Sequence, residues 1–123
     1  MSNLSLNAQR LLLRAAELIN VRASWSKGFY EQGDNYCAIG ALQRADREIG
    51  GGYNAFTQAQ IALTAELPEY SDDYYTCVEG FNDHPNTKYA DVKALFCRTV
   101  SKHVDDPSLL EDNKDGGSVT KTV

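Results

Sequence analysis

The apolar residues in the first half of the chain recur with the period of an α-helix. Between Leu6 and Ile19, leucines and alanines fall on one face and charged residues on the other. A second stripe, mostly alanine and leucine, runs from Tyr36 to Ile49 and is followed by three glycines at 50–52. Glycine ends a helix because it adopts the left-handed conformation at little cost. The pattern therefore predicts helices over about 6–19 and 36–49.

Gly40 lies inside the second predicted helix but off its apolar stripe, on the side shared with Cys37 and Arg44. A glycine in a helix interior costs up to about 1 kcal/mol relative to alanine. Close approach of another element is the compensation that we expect. We therefore predict that this helix is central and packed on two sides.

The second half of the chain predicts two further helices and a turn-rich connection. The third helix covers about 55–66 and stops before Pro68, and the fourth begins at the cap Thr87 and runs to about Val104. Residues 70–86 contain many turn formers, with room for a short helix at 73–78. The segment 21–34 fits two short strands or an irregular loop equally well. The predicted fold is mostly α: a compact single domain of four helices, or five if the short one forms, with irregular loops.

Length and composition divide the chain into a domain and a tail. A chain of 123 residues is long enough for one domain with its own core. Residues 105–123 are polar and acidic and contain glycine, so they bury little apolar surface. We predict a helical domain over 1–104 and a mobile acidic tail over 105–123.

Several classes of protein are disfavoured by the sequence. No apolar run approaches the roughly 20 residues of a membrane span, and no basic-then-apolar signal peptide opens the chain. The three cysteines are far apart in sequence, which argues against a disulfide framework and a zinc knuckle. We expect a cytoplasmic protein with no membrane contact, no metal and no cofactor.

The net charge is −5, of which residues 105–123 contribute −3. A second acidic block, the tyrosine-rich segment at residues 66–83, contains no lysine or arginine. A phosphate backbone is repelled by such a surface, so direct nucleic-acid binding is not expected. The same charge permits the opposite role. An acidic protein can mimic nucleic acid and inhibit a protein with a basic site, and that binding weakens with added salt.

Cys37 is the candidate for chemistry, because it lies where the second helix begins. Unpaired amides and the helix dipole stabilise a thiolate at that position. A cysteine-dependent hydrolase or transferase would use Cys37 as nucleophile, His84 as base, and Asp83 or Asn82 to orient the base. Alternatively, Cys37 is a small buried residue that allows close packing. No local nucleophile motif surrounds the thiol, which favours the second interpretation.

Two groups of residues are candidates for binding a ligand or partner. In the first loop, Trp25, Lys27 and Tyr30 combine aromatic rings with a cation and can bind a planar or anionic ligand. The second group lies in the acidic segment and the turn after it: Asp72, Asp73, Tyr74, Tyr75, Asn82 and Asp83. Each group also has a structural interpretation. Tryptophan can close one end of the core, and Asn and Asp stabilise turns by bonding nearby amides.

The run Cys37 to Leu42, Cys-Ala-Ile-Gly-Ala-Leu, follows Trp-Ser-Lys-Gly at 25–28 and precedes Phe-Asn-Asp at 81–83. In these motifs the chain resembles a family of small uncharacterised domains of bacteria and their phages. That family pairs a C-A-x-G-A-L helix with a later W-N-D turn and a closing amphipathic helix. Phe81 stands where the family usually has tryptophan. The resemblance covers most of residues 9–104 and implies a fold, with no activity to carry over.

Two functional hypotheses follow from the sequence. The preferred one is a non-catalytic interaction module of bacterial or phage type. It would bind a protein partner or a small ligand through the loop around Trp25 and the acidic segment 66–83. An inhibitor or nucleic-acid mimic is one form of such a module. The alternative is the cysteine enzyme that uses Cys37 and His84.

Overall fold

The computed structural model describes residues 4–50, 52–68, 77–106 and 108. Within these residues the chain is mostly helical, as predicted, and contains five α-helices. The helices are α1 Leu6–Leu18, α2 Ala38–Ile49, α3 Gly52–Ala65, α4 Val78–Asp83 and α5 Tyr89–His103. Between α1 and α2 lie a 3₁₀ turn, Arg22–Ser24, and an antiparallel hairpin of β1 Glu31–Gln32 and β2 Asn35–Tyr36.

Helix α2 occupies the centre of the fold, as its small residues predict. It packs against α1, α3 and α4, and the first five residues from Ala38 are all buried. The buried face of α1 includes Leu11, Leu12 and Ala15, none of which is exposed. Alanine and glycine on α2 allow this crowding, because short side chains let several elements approach one helix.

The N-terminus of α2 differs from the prediction by two residues. Tyr36 belongs to β2, where it pairs with Glu31, so the helix cannot begin there. Cys37 has extended backbone angles and is itself the N-cap, and its Sγ accepts a hydrogen bond from the amide of Gly40 at 3.3 Å. The predicted C-terminus is confirmed, with Gly50 in the left-handed conformation at φ +73°.

Gly40 has the close neighbour that its position predicts. A Cβ atom built on it would overlap the backbone carbonyl group of Tyr30. The chain around residue 30 therefore crosses directly over the first turn of α2, at a distance that only glycine permits.

The other helix starts are set by side chains that bond backbone amides. Helix α3 begins at Gly52, three residues before the prediction, and the amide of Gly52 donates to the Asp46 carboxylate at 3.2 Å. Helix α5 begins two residues after Thr87, where the Asp91 carboxylate accepts from the amide of Lys88 at 2.9 Å. Both carboxylates satisfy amides that have no partner within a helix.

The prediction of a turn at residues 81–83 is wrong, because these residues form the last turn of α4. Cys77 caps this helix through a hydrogen bond from the amide of Gly80 to its Sγ, and Val78 and Phe81 are buried one turn apart. A three-residue apolar spacing and a thiol cap give a weak sequence signal. Residues 73–76 of the short helix that we predicted lie outside the described residues.

The segment between α1 and α2 resolves the choice that the sequence left open. It contains both kinds of structure: a 3₁₀ turn, a short irregular loop, and a hairpin whose strands have two residues each. Gly33, with φ +65°, makes the turn between the two strands.

Gln9 connects the two ends of the described fold, a role that the sequence did not indicate. Its side chain is 2% exposed. The Nε2 group donates to the carbonyl of Leu4 at 3.0 Å, and Oε1 accepts from the amide of Asp105 at 2.9 Å. The domain boundary at 104 stays a prediction, and most of the predicted tail lies outside the described residues.

Among the helices of the described ranges, none has both the length and the apolar composition required to span a bilayer.

Candidate functional site

Asn82 is the residue on which the candidate site is built. It is fully buried near the end of α4. Its Oδ1 accepts from the indole Nε1 of Trp25 at 2.7 Å and from the amide of Ala38 at 3.1 Å. Its Nδ2 donates to the carbonyl of Ser26 at 3.1 Å and to Asp83 Oδ1 at 3.0 Å. All four hydrogen-bonding positions of the amide are therefore used.

Through these bonds Asn82 joins three parts of the chain: α4, the N-terminus of α2, and residues 25–30, which we call the Trp25 loop. Trp25 and Asn82 were predicted as separate ligand-binding candidates, and the structure brings them into direct contact.

Trp25 is half-buried, and its contacts lie within the fold. Its ring lies against that of Tyr89, with centroids 6.1 Å apart and planes inclined by 49°. Lys27 Nζ lies 5.6 Å from the centre of the indole ring and donates to the carbonyl of His84 at 2.8 Å. Trp25 and Lys27, predicted as ligand-binding residues, thus interact with each other and with the fold. These contacts hold the Trp25 loop against the chain after α4.

Asp83 makes a further attachment of the same loop. Its Oδ1 accepts from the amide of Gly28 at 2.9 Å. Gly28 has φ +81°, a left-handed conformation that favours glycine and directs its amide to the carboxylate. Asn82 and Asp83 at the end of α4 thus bind three of the four loop residues 25–28, namely Trp25, Ser26 and Gly28.

The attached loop presents two aromatic side chains to solvent. Phe29 is 57% exposed and Tyr30 is 49% exposed. The backbone beneath them is fixed, because the carbonyl of Tyr30 accepts from the amide of Cys37 at 3.3 Å and lies against Gly40. Tyr30 was among the predicted binding residues, whereas Phe29 was not. The available signal was an aromatic residue directly after a glycine in a polar loop.

A cleft of about 180 Å³ opens between this loop and α4. Its lining consists of Gly28, Phe29, Tyr30, Cys37, Glu79 and Asp83. The negative charge of Glu79 is the main cause of a raised pKa for Tyr30. Glu79 was not a sequence candidate. It faces the cleft because it lies one helical turn before Asp83.

Cys37 lies in the same cleft and is only 4% exposed. Burial raises the pKa of its thiol, against the opposing hydrogen bonds from the amides of Gly40 and Ile39. The charges of Asp83 and Glu79 raise this pKa further. The sequence predicted a thiolate stabilised by the helix N-terminus, whereas in the structure burial outweighs the amides and favours the protonated thiol.

His84 directly follows α4 and is not one of the residues that line this cleft. Its Nδ1 accepts from the amide of Asn86 at 3.0 Å. In a neutral ring this bond occupies the Nδ1 lone pair and corresponds to the tautomer with its proton on Nε2. The catalytic roles of Cys37, His84 and Asp83 stay a prediction, and both the protonated thiol and this tautomer favour the non-catalytic interpretation.

Four predicted binding residues lie outside the described residues: Asp72, Asp73, Tyr74 and Tyr75. In the part of the chain that the structure describes, no group of His, Cys, Asp and Glu side chains could hold a metal ion. A larger apolar groove, of about 430 Å³, lies between α1 and α5 and contains none of the candidate residues.

Comparison with known proteins assigns the chain to a family but gives no activity. No curated protein and no solved structure matches it significantly. One family model matches residues 4–102, from the residue before the α1 cap to the last turn of α5. The expected membership of a family without an assigned function is thereby confirmed. The chain belongs to this family of unknown function, DUF6197.

Proposed function

We propose that the protein is a non-catalytic interaction module that binds a protein partner through the face formed by the Trp25 loop and α4. One observation carries the proposal: Phe29 and Tyr30 are exposed on a backbone that is fixed from several sides. The module would be of the bacterial or phage type that the sequence motifs suggest.

A fixed aromatic pair is well suited to recognition. Aromatic residues are enriched among the side chains that contribute most to protein–protein binding. Ordering a mobile loop on binding costs free energy, and a loop already held in place avoids much of that cost. The hydrogen bonds from Asn82 and Asp83 to the Trp25 loop therefore support binding, although neither residue needs to touch the partner.

The size of the cleft favours a protein partner over a free small ligand. Sites for drug-sized ligands usually have volumes of about 300–1,000 Å³. A cleft of about 180 Å³ is smaller, and matches one side chain of a partner whose main chain remains on the surface.

An inhibitor or nucleic-acid mimic is a special case of this proposal. It requires a partner with a basic surface, and the negative charges of Glu79 and Asp83 beside the aromatic pair support that case. Glu66 of the same segment is paired with Lys102 and His103, and its remaining acidic residues, at 69–73, lie outside the described residues. Binding of this kind would weaken as salt is added.

The experiment that tests the proposal is selection of peptides from a random displayed library on the full chain, followed by affinity measurements. Phe29→Ser and Tyr30→Ser should each lower the affinity for the selected peptides by about tenfold, as expected for aromatic contacts at the centre of an interface. Tyr53→Ser is the matched control, because Tyr53 is an 82% exposed aromatic residue on α3.

All three substitutions remove solvent-exposed side chains, so each should change the free energy of unfolding by less than about 0.5 kcal/mol. Denaturant unfolding checks this point. If peptides bind equally well to Phe29→Ser, Tyr30→Ser and the control, the proposed face is wrong.

A further inference from the structure

We propose that the cleft beside Tyr30 receives a basic side chain, arginine or lysine, of the protein partner. This inference rests on the proposed function, and it names the chemistry of the group that enters the cleft. It is argued from the uncompensated charge, the aromatic walls and the dimensions of the cleft.

The first observation is negative charge that the fold does not neutralise. Glu79 and Asp83 both line the cleft, and neither forms an ion pair within the described residues. Asp83 Oδ1 accepts from Gly28 and Asn82, and for Oδ2 the described part of the chain supplies no donor. One carboxylate oxygen therefore remains able to accept from a partner.

The basic residue of the Trp25 loop and the α2 residue that contacts the hairpin both have other partners. Lys27 donates to the carbonyl of His84 and lies over the Trp25 ring. Arg47 is paired with Glu31 of the hairpin. The two carboxylates thus keep their negative charge in the cleft. The charge of Glu79 is the main cause of the raised pKa of Tyr30, and for Cys37 the two charges add to the larger effect of burial.

The second observation is the aromatic wall. Phe29 and Tyr30 line the cleft together with the two carboxylates. A cation near an aromatic face is attracted by the ring quadrupole, and a guanidinium is weakly hydrated and can also bond a carboxylate through two nitrogens. Charge complementarity and ring contact therefore select the same group, and a volume of about 180 Å³ accommodates the head of one such side chain.

A test of the chemistry does not require the natural partner. The probe is N-acetyl-arginine methylamide, titrated into the isotopically labelled full chain and followed by amide NMR signals. Its neutral isostere, N-acetyl-citrulline methylamide, is the matched control. The arginine probe should shift the amides of Gly28, Tyr30 and Cys37, and the citrulline probe should bind about tenfold more weakly or not at all.

Two variants that each remove one negative charge test whether the arginine probe binds in the cleft. Glu79→Gln and Asp83→Asn should each lower the affinity for the arginine probe by about fivefold or more. This is a moderate loss for removing a charge that contacts an opposite charge. Asparagine at 83 keeps an oxygen that can accept from Gly28, so the loop stays attached. Asp34→Asn, an exposed charge in the hairpin turn, is the control and should leave binding unchanged.

The outcomes separate this inference from the proposed function. If the arginine and citrulline probes bind equally well, the cleft does not select a basic side chain and the inference is wrong. It is also wrong if both charge variants bind the arginine probe as tightly as the wild type does. The proposed face still stands if binding of the displayed peptides is weakened by Phe29→Ser or Tyr30→Ser. If neither substitution weakens that binding, the proposed face is wrong, and the inference fails with it.

Discussion

Asn82 shows how much structure one buried amide can organise. Its four hydrogen bonds connect α4, the Trp25 loop and the start of α2. Its sequence context gives only the general preference of asparagine for turns. The partners of Asn82 at positions 25, 26 and 38 are more than 40 residues away, so no local pattern identifies them.

Replacing Asn82 with alanine should destabilise the protein by about 2–4 kcal/mol, because it leaves buried donors and an acceptor without partners. Denaturant unfolding measures the loss, and the emission of Trp25, the only tryptophan, should shift to the red as its indole gains water. Asn54→Ala on the exposed surface of α3 is the control and should change stability by less than about 0.5 kcal/mol. Similar stabilities for the two variants would contradict the role assigned to Asn82.

Gly40 and Gly80 provide a comparison in which the same substitution should have opposite effects. Alanine at 40 would overlap the Tyr30 carbonyl, so Gly40→Ala should destabilise the fold by about 1–3 kcal/mol despite its better helix propensity. Alanine at 80 would meet only the Cys77 Sγ, at an ordinary 3.4 Å, so Gly80→Ala should stabilise by up to about 1 kcal/mol. Thermal unfolding of both variants gives the signs, and a stabilising Gly40→Ala would refute the close approach.

Cys37 should be the least reactive of the three cysteines. Burial raises the pKa of its thiol, so little thiolate forms at neutral pH, whereas Cys77 and Cys97 are exposed. Site-resolved mass spectrometry after iodoacetamide treatment, repeated across pH, measures the three rates in one protein. A Cys37 that reacts fastest, with a midpoint below the ordinary value of about 8.5, would instead support the cysteine-enzyme hypothesis.

At the scale of elements, polar groups at helix ends decide how helices are joined. The residue that follows α3, Glu66, contacts Lys102 at 3.0 Å and His103 at 3.1 Å, while Arg98 donates to its backbone carbonyl. Glu48 of α2 similarly contacts Arg14 of α1 at 2.6 Å. These contacts fasten one end of α3 to α5 and the last turn of α2 to α1.

Because of the Glu66 contacts, the free energy of unfolding should depend on pH in the acid range. Burial raises the pKa of Glu66, but the hydrogen bonds from Lys102 and His103 and the charges of these partners together lower it more, and the resulting pKa is below the ordinary 4.5. A depressed carboxyl pKa gives stability that is present above the unfolded value and is lost as pH falls through the folded value. The wild type should therefore lose stability below about pH 4.5, and Glu66→Gln should lose less, by about 0.5–1 kcal/mol.

Glu48→Gln is the matched variant, since hydrogen bonding to Arg14 is the main cause of a lowered pKa for Glu48. The two sites share no partner, so the double variant should show nearly additive effects in acid unfolding curves. If the acid unfolding curves of Glu66→Gln and the wild type coincide, the contact between Glu66 and α5 contributes nothing to stability.

At the scale of the whole molecule, Gln9 closes the fold by binding both Leu4 and Asp105. Ending the chain after Ser108 keeps these bonds, and we predict a free energy of unfolding within about 0.5 kcal/mol of the full chain. Ending it after Val104 removes the Asp105 amide and leaves buried Gln9 Oε1 without its donor, at a cost of about 1–3 kcal/mol. Equal stability of the two shortened chains would place the domain boundary at 104, as the sequence suggested.

The sequence alone determined the helical class, the approximate limits of the four longer helices, and the central position of α2. These properties follow from local periodicity, from Gly50 and Pro68 as helix stops, and from the small residues of α2, all of which act within a few turns of chain. It also identified Trp25, Tyr30, Cys37 and Asp83 as candidates from their chemical types.

Only the tertiary structure decided how those candidates are related. In the structure, the hydrogen bond between Trp25 and Asn82 holds the loop, and Phe29 and Tyr30 stay exposed. The fold places Glu79 with Asp83 in the cleft and buries Cys37 so that its thiol stays protonated. Hydrogen bonds across more than 40 residues and the burial of a particular atom depend on how distant segments pack, and a helical period contains no information about either.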